Sequence, residues 1–429
     1  MRVLARHGSA GLLSLASLAW LAGCAALVPA AGDLARGIWY TPELLAAAHL
    51  IGLGFLTTAI AGALLHLAPN MSVRRPPGGA LPGLLIWAGA LVLAGGLWRG
   101  LPAAEAAGGT LLAAGIGWLL VGVAAIWHGR RGSWPEPLVG LVLASAWLAA
   151  VLVLGLLMIA ERRWGFLGVD RTRLIGAHAT MATLGWAGGL ILAMATRMAP
   201  MLLIAPARRL GVARAALGVW HCGVVALTAA VITGTRAPAL SGAAALALAV
   251  AGFAVYVADA ARRRRRRPPA AVQHLLAGLG ALLAAATLVL VLPAGRAAPA
   301  ALLLALVGFA AGVTAGHILI MVPTMCWMAR FGGLRRGGWA PPPVAHLAPP
   351  LLGWCEGVSF AAGTGLLAAG VLTSSEPLAL AGAATLAASA AVVVAAVAVA
   401  ALRPWRAAAG GRAALPVLEG GPRPLSADR

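Results

Sequence analysis

The chain has 429 residues, of which 61% are hydrophobic and only 10% charged, with a mean hydropathy of +0.93. That composition excludes an ordinary soluble enzyme, because the apolar runs repeatedly exceed the roughly 20 residues that a helix needs to cross a bilayer. The net charge of +21 comes from arginine alone, and its uneven distribution along the chain argues for membrane topology and against a nucleic-acid partner.

Backbone groups in lipid must bond internally, and unbroken apolar segments of this length do so as helices. The expected fold is therefore an all-α polytopic bundle of about 12 transmembrane helices in a single integral membrane domain. The spans are expected at about 8–30, 43–69, 79–97, 107–128, 136–160, 174–197, 211–233, 237–260, 272–293, 300–324, 346–371 and 376–402, leaving 403–429 as a tail. With the N-terminus inside, 24 arginines fall in inner segments and 8 in outer ones, which predicts that both termini and the tail are cytoplasmic. The run Arg262–Arg267 is then a topology determinant, with contact to anionic lipid as a plausible addition.

The first span holds Leu21-Ala22-Gly23-Cys24, which has the look of a lipoprotein processing site. The apolar run continues through Ala25–Ala31, which favours an uncleaved first helix. Cys24, Cys222, Cys326 and Cys355 are far apart in sequence, so no disulfide framework or CxxC motif is expected.

The second, sixth and tenth spans read as variants of one helix. In each, a Gly-aromatic pair (Gly54-Phe55, Gly185-Trp186, Gly308-Phe309) precedes a proline (Pro69, Pro200, Pro323) by the same 15 residues. The marker glycines lie 131 and 123 residues apart, so a threefold repeat of four-helix units is predicted, with each marked helix closed at its inner end by its proline. Gly62 and Gly316, with Ala193 as the middle counterpart, stand 8 residues after the markers and would allow close helix contact.

Depth sorts the histidines. His49 and His178 precede their markers by 5 and 7 residues, which puts them in one outer layer to within about 3 Å. His66 and His317 follow theirs by 12 and 9 residues and form an inner layer roughly 20–25 Å away, too far for one metal to use both layers. Neutral imidazole ligates haem iron, copper and zinc, so His49 and His178 are the first candidates for a cofactor or metal. The tenth helix has Ala301 and Leu303 at the outer level, so any second ligand there differs or is absent. His221, beside Cys222 in the seventh span, is a secondary ligand candidate.

Met71, Met198, Met201, Met321 and Met325 gather at the inner ends of the marked helices with Cys326, His66 and His317. Such donors suit Cu(I), although methionine is also a flexible filler at helix contacts. Arg197 is a candidate partner for a haem propionate. Glu356, in GWCEGVSF, is read as the one acidic residue deep in a span. A carboxyl there is either protonated or part of a polar or proton-conducting path. His128, His274 and His346 fall at span ends and His7 outside the spans, so all four are expected to be solvated.

The phrases AHLIGLGFLTTAIAGALLHLAP, HATMATLGWAGGLILAMATRMAPM and GHILIMVPTMCWM, with twelve spans and histidines on helices two, six and ten, resemble subunit I of the haem-copper oxidases and the related NnrS family. The resemblance implies a haem- and copper-containing protein of the bacterial inner membrane. By position, His49 would match the second-helix haem ligand and His178 the sixth-helix copper ligand. The chain departs from the oxidase pattern in three places. The seventh helix offers only His221-Cys222 in place of two adjacent histidines, the tenth lacks a His-x-His, and Gly176–Pro200 contains no tyrosine. The expectation is thus a haem b protein, with copper as a further possibility, in redox or nitric-oxide-related physiology, lacking a complete oxidase centre and served by an unidentified electron donor. The competing expectation is a transporter or copper-handling permease with Glu356 as its proton-coupled group.

Overall fold

The computed structural model describes residues 8–132, 134–331 and 342–403. Among them are twelve helices long and apolar enough to cross a membrane, and no strand. They are α1 (Gly8–Leu27), α2 (Pro42–Met71), α3 (Leu81–Arg99), α4 (Pro102–His128), α5 (Pro135–Trp164), α6 (Arg171–Leu203), α7 (Leu210–Thr233), α8 (Arg236–Arg262), α9 (Ala270–Val291), α10 (Ala297–Phe331), α11 (Pro350–Thr373) and α12 (Glu376–Leu402). The marked helices do not end at their prolines. Pro69, Pro200 and Pro323 all lie inside helix, and α10 continues to Phe331. A helix proline loses one backbone bond and strains the turn before it, which neighbouring helices can absorb in a membrane bundle.

The helices form a closed ring of three four-helix units. Within the units α1 packs on α2, α5 on α6 and α9 on α10, while α3 pairs with α4, α7 with α8 and α11 with α12. Between units α4 meets α5, α8 meets α9, and α12 returns to α1. Each step therefore recurs three times, which is what a pseudo-threefold arrangement requires.

The α3–α4, α7–α8 and α11–α12 hairpins repeat the same two contacts. A Cβ added at Gly108, Gly242 or Gly382 would lie 2.5, 2.9 or 2.3 Å from the amide nitrogen of Leu93, Leu227 or Leu367, respectively. Reciprocally, a Cβ at Gly89, Gly223 or Gly363 would meet the side chain of Leu112, Leu246 or Leu386 at 2.9–3.1 Å. Glycine on one helix and leucine on the other let the backbones approach until van der Waals contact is continuous, the main source of helix association where lipid removes the hydrophobic driving force.

At the centre, each marked helix widens into an eight-residue π-helical segment: Leu50–Thr57, Met181–Gly188 and Leu304–Ala311. In all three the marker glycine is the fifth residue and the aromatic the sixth. The segments touch one another pairwise, and their aromatics, Phe55, Trp186 and Phe309, are buried. The Thr57 and Thr58 hydroxyls donate to carbonyls five residues back, at 2.8 and 3.0 Å, whereas an α-helix aligns a side chain with the carbonyl four back. The Trp186 indole donates to Thr57 Oγ1 at 3.1 Å, tying the first unit to the second.

Candidate functional site

The helices that carry His49 and His178 start in the same way. Thr41 caps α2, its hydroxyl accepting from the Leu44 amide at 3.4 Å with Pro42 following, and Asp170 caps α6 by accepting from the Thr172 amide at 2.8 Å. Such caps satisfy amides that the first turn leaves unpaired and define where the helix begins. Each histidine stands 8 residues after its cap. The helical turns that lead into α10 begin after Pro293 with no side-chain cap, and Ala301 stands 8 residues after Pro293.

The structure brings these two histidines together. Their ring centres are 6.2 Å apart with planes inclined at 31°. Because His49 precedes its marker by 5 residues and His178 by 7, the side chains leave their helices about 200° apart in azimuth. They therefore meet at the boundary between the first and second units and not on the pseudo-threefold centre. The His49 Nδ1 lies 2.7 Å from the Leu45 carbonyl. A carbonyl can only accept, so Nδ1 carries the proton and Nε2 keeps its lone pair. His178 Nδ1 is buried without a hydrogen-bond partner, and its ring lies against Gly155, where a Cβ would come within 3.1 Å of Cε1.

Both rings line a partly open cavity of about 430 Å³ bounded by α2, α3, α4, α5 and α6, with Leu302 and Leu306 of α10 also lining it. Its walls are mostly leucine, isoleucine and valine, interrupted by Thr57, Thr183 and Trp186. The volume falls within the roughly 300–1,000 Å³ of small-molecule and cofactor sites. At the rim Arg162 donates from one guanidinium nitrogen to both oxygens of Glu105, at 2.9 and 2.8 Å, with Arg171 and Glu161 nearby. The Glu105 side chain is 3% exposed, so the ion pair neutralises a carboxylate that isolation would penalise.

Glu105 escaped the sequence reading because the fourth span was expected to begin at about 107, whereas α4 begins at Pro102. Its position in the first helical turn, where an acid suits the helix dipole, was the available signal. Arg197 lies elsewhere, its guanidinium 5.8 Å from the Trp134 ring centre, and does not line the cavity.

The remaining candidates are separate. His66 is partly buried near the far end of α2 and does not line this cavity. His317 Nδ1 donates to the Val313 carbonyl at 2.7 Å, which leaves Nε2 free, but it too is remote from the cavity. The Trp147 indole donates to His221 Nδ1 at 3.2 Å. That bond uses the Nδ1 lone pair and puts the proton on Nε2, which is buried without an acceptor, so His221 as placed offers an N–H and no free lone pair. Met201 is exposed, and among the described residues no three His, Cys, Asp or Glu side chains converge as a metal-holding group.

His274 corrects an expectation. It is not solvated at a span end: its side chain is 6% exposed, and its Nε2 lies 2.8 Å from Glu356 Oε2. Glu356 is fully buried, in the second turn of α11. The His274 ring lies where Gly316 of α10 leaves room, since a Cβ there would come within 2.7 Å of its Cγ. His346 lies exposed in a short 3-10 turn, His128 ends α4 in an exposed position, and the expectations for His7 and for the tail from 404 onward lie outside the described residues.

Comparison of the chain with protein-family models and with curated proteins gives no match.

Proposed function

We propose that this chain is a membrane haem-binding protein, of the type resembled by the NnrS-like relatives of the haem-copper oxidases, with haem b held at the cavity by His49 and His178. What supports this reading is above all the spacing of the two rings. A metal bonded at about 2.0–2.1 Å to one nitrogen of each imidazole needs ring centres roughly 6 Å apart, and the rings stand at 6.2 Å. The residues fit such a group: His49 offers a lone pair fixed by the Leu45 carbonyl, and His178 has a buried nitrogen without a partner. Haem, when bound, would supply a one-electron redox iron. The chain's own contribution is to orient the imidazoles through a backbone hydrogen bond, to exclude water with aliphatic walls, and to present Arg162 and Arg171 at the rim, where carboxylates of a ligand would be met.

The protein so read belongs to the bacterial inner membrane, with N- and C-termini cytoplasmic, and serves redox or nitric-oxide-related physiology without a complete oxidase centre. The same spacing suits a single copper ion between two imidazoles, so pigment and metal content are measured together. Purified protein from haem-sufficient cells should show a Soret band. His49→Ala should abolish or shift it, and His178→Ala should alter it or remove copper. A colourless, metal-free preparation overturns the reading and promotes the alternative, a transporter or copper-handling permease, which draws support from the fully buried Glu356. For that alternative, Glu356→Gln in reconstituted vesicles should abolish pH-driven uptake.

A further inference from the structure

The His274–Glu356 pair lies in the third unit, one to two turns from the start of α9 and of α11. Odd-numbered helices begin at the end opposite the even-numbered ones, so the pair and the His49–His178 cavity occupy opposite ends of the bundle. Four helices build it: α9 supplies His274, α11 supplies Glu356, α10 leaves room for the ring at Gly316, and α12 directs the Ser389 hydroxyl to Glu356 Oε1 at 3.4 Å. Phe360 covers the imidazole with its ring centre 5.7 Å away.

The hydrogen bonds restrict where the protons can be. His274 Nδ1 lies 2.9 Å from the Ala270 carbonyl, which can only accept, so Nδ1 carries hydrogen in every state. The 2.8 Å contact between Nε2 and Glu356 Oε2 then also needs one proton. That proton sits either on Nε2, giving imidazolium and carboxylate, or on Oε2, giving two neutral groups. Moving it breaks the N–H bond and forms the O–H bond with no change of net charge. One further proton taken from water makes imidazolium and carboxylic acid with one positive charge, and its return to water restores neutrality. A purely structural link would do as well with uncharged groups, since replacing a buried ion pair by apolar residues is often neutral or stabilising. An ionisable residue within a membrane segment marks a functional site by default.

We propose that His274 and Glu356 form a proton-binding site that takes up and releases one proton, separate from the cavity at the other end of the bundle. Among the described residues, the titratable and charged groups at this end of the elements packed against it are His317, Cys326 and Arg330 of α10, Tyr256, Asp259 and Arg262 of α8, Cys355 of α11 and Arg403 at the end of α12, while Arg236 of α8 and Glu376 of α12 lie at the opposite end. Of these, His317 directly follows the glycine that accommodates the His274 ring.

The test is infrared difference titration of the purified full-length chain in lipid nanodiscs between about pH 4 and pH 9, a range spanning the ordinary values of both groups. A buried carboxylic-acid C=O band should grow and fade reversibly, shift in D2O, and vanish in Glu356→Gln while persisting in Glu105→Gln. His274→Gln should displace its midpoint by about one pH unit or more. Where either variant fails to fold, Ser389→Ala, which keeps the pair, should still move the midpoint. A wild-type spectrum with no titrating buried-carboxyl band overturns the proposal without recourse to any variant, and so does a band that survives unchanged in Glu356→Gln. The measurement needs no haem, so its failure is distinct from failure of the cavity reading.

Discussion

At the residue scale, the consequences follow from who holds whose proton. His49 is positioned by a carbonyl one turn back on its own helix, so His49→Gln keeps a hydrogen-bonding side chain but removes the imidazole lone pair. It should lose the optical spectrum while the protein still purifies as a folded monodisperse species, as read by size exclusion alongside absorbance. The buried pair behaves differently. Glu356→Leu leaves His274 without a partner among apolar neighbours and should destabilise the bundle by about 3–5 kcal/mol, the usual penalty for breaking a buried pair from one side. Glu356→Gln, which still hydrogen-bonds, should cost clearly less, and thermal unfolding in detergent distinguishes the two. Depth along the helix was legible for His49, His178 and Glu356, because it needs only residue counting. The partnership of His274 with Glu356 was not, because residues 82 apart on different helices leave no local trace of each other.

At the element scale, the three π-helical segments are the feature that a count of residues per span hides. A π segment holds more residues per turn than an α-helix and is common at functional sites. It changes the rotation of everything before it relative to everything after it. Inserting one alanine between His49 and Leu50, just before the π segment, should turn His49 by about 100° relative to the inner half. The expected result is loss of the optical spectrum with membrane insertion retained, and an unchanged spectrum would show that the register set by the segment does not position His49. The hairpins make a second prediction. Gly242→Ala and Gly382→Ala place a Cβ 2.9 and 2.3 Å from a backbone nitrogen of the partner helix, so each should cost about 1–3 kcal/mol by overpacking. Gly365→Ala, with open space at its Cβ, serves as the control in the same thermal assay. The Gly-aromatic markers were visible in sequence as a spacing, whereas their shared π register and the glycine–leucine clasps became visible only once the helices were side by side.

At the scale of the whole molecule, the arginine bias predicts an orientation that labelling can read. In a cysteine-free background, Arg264→Cys should react with a membrane-impermeant thiol reagent only from the inner side, and Arg99→Cys only from the outer side; the reverse pattern would invert the topology. The ring of three units also explains why the cavity is lopsided. Three equivalent boundaries exist, and among the described residues the one between the first and second units has a histidine from each side at this depth, because Ala301 stands 8 residues after Pro293 where α2 and α6 carry histidine 8 residues after their caps. The His274–Glu356 pair belongs to the third unit, so the two proposed sites are divided among units that share one backbone plan.

Sequence by itself determined that the chain is a membrane bundle, how many helices cross, which three are equivalent, and which histidines share a depth. Those properties are one-dimensional: hydropathy and spacing report position along a helix axis and nothing about direction around it. Only the tertiary structure decided that His49 and His178 face each other across a unit boundary, that His221 spends its lone pair on Trp147, and that His274 is buried against Glu356. Azimuth and neighbour are set by how helices pack. Here glycine contacts and π segments control that packing, and a shift of two residues carries a side chain to nearly the opposite face of its helix.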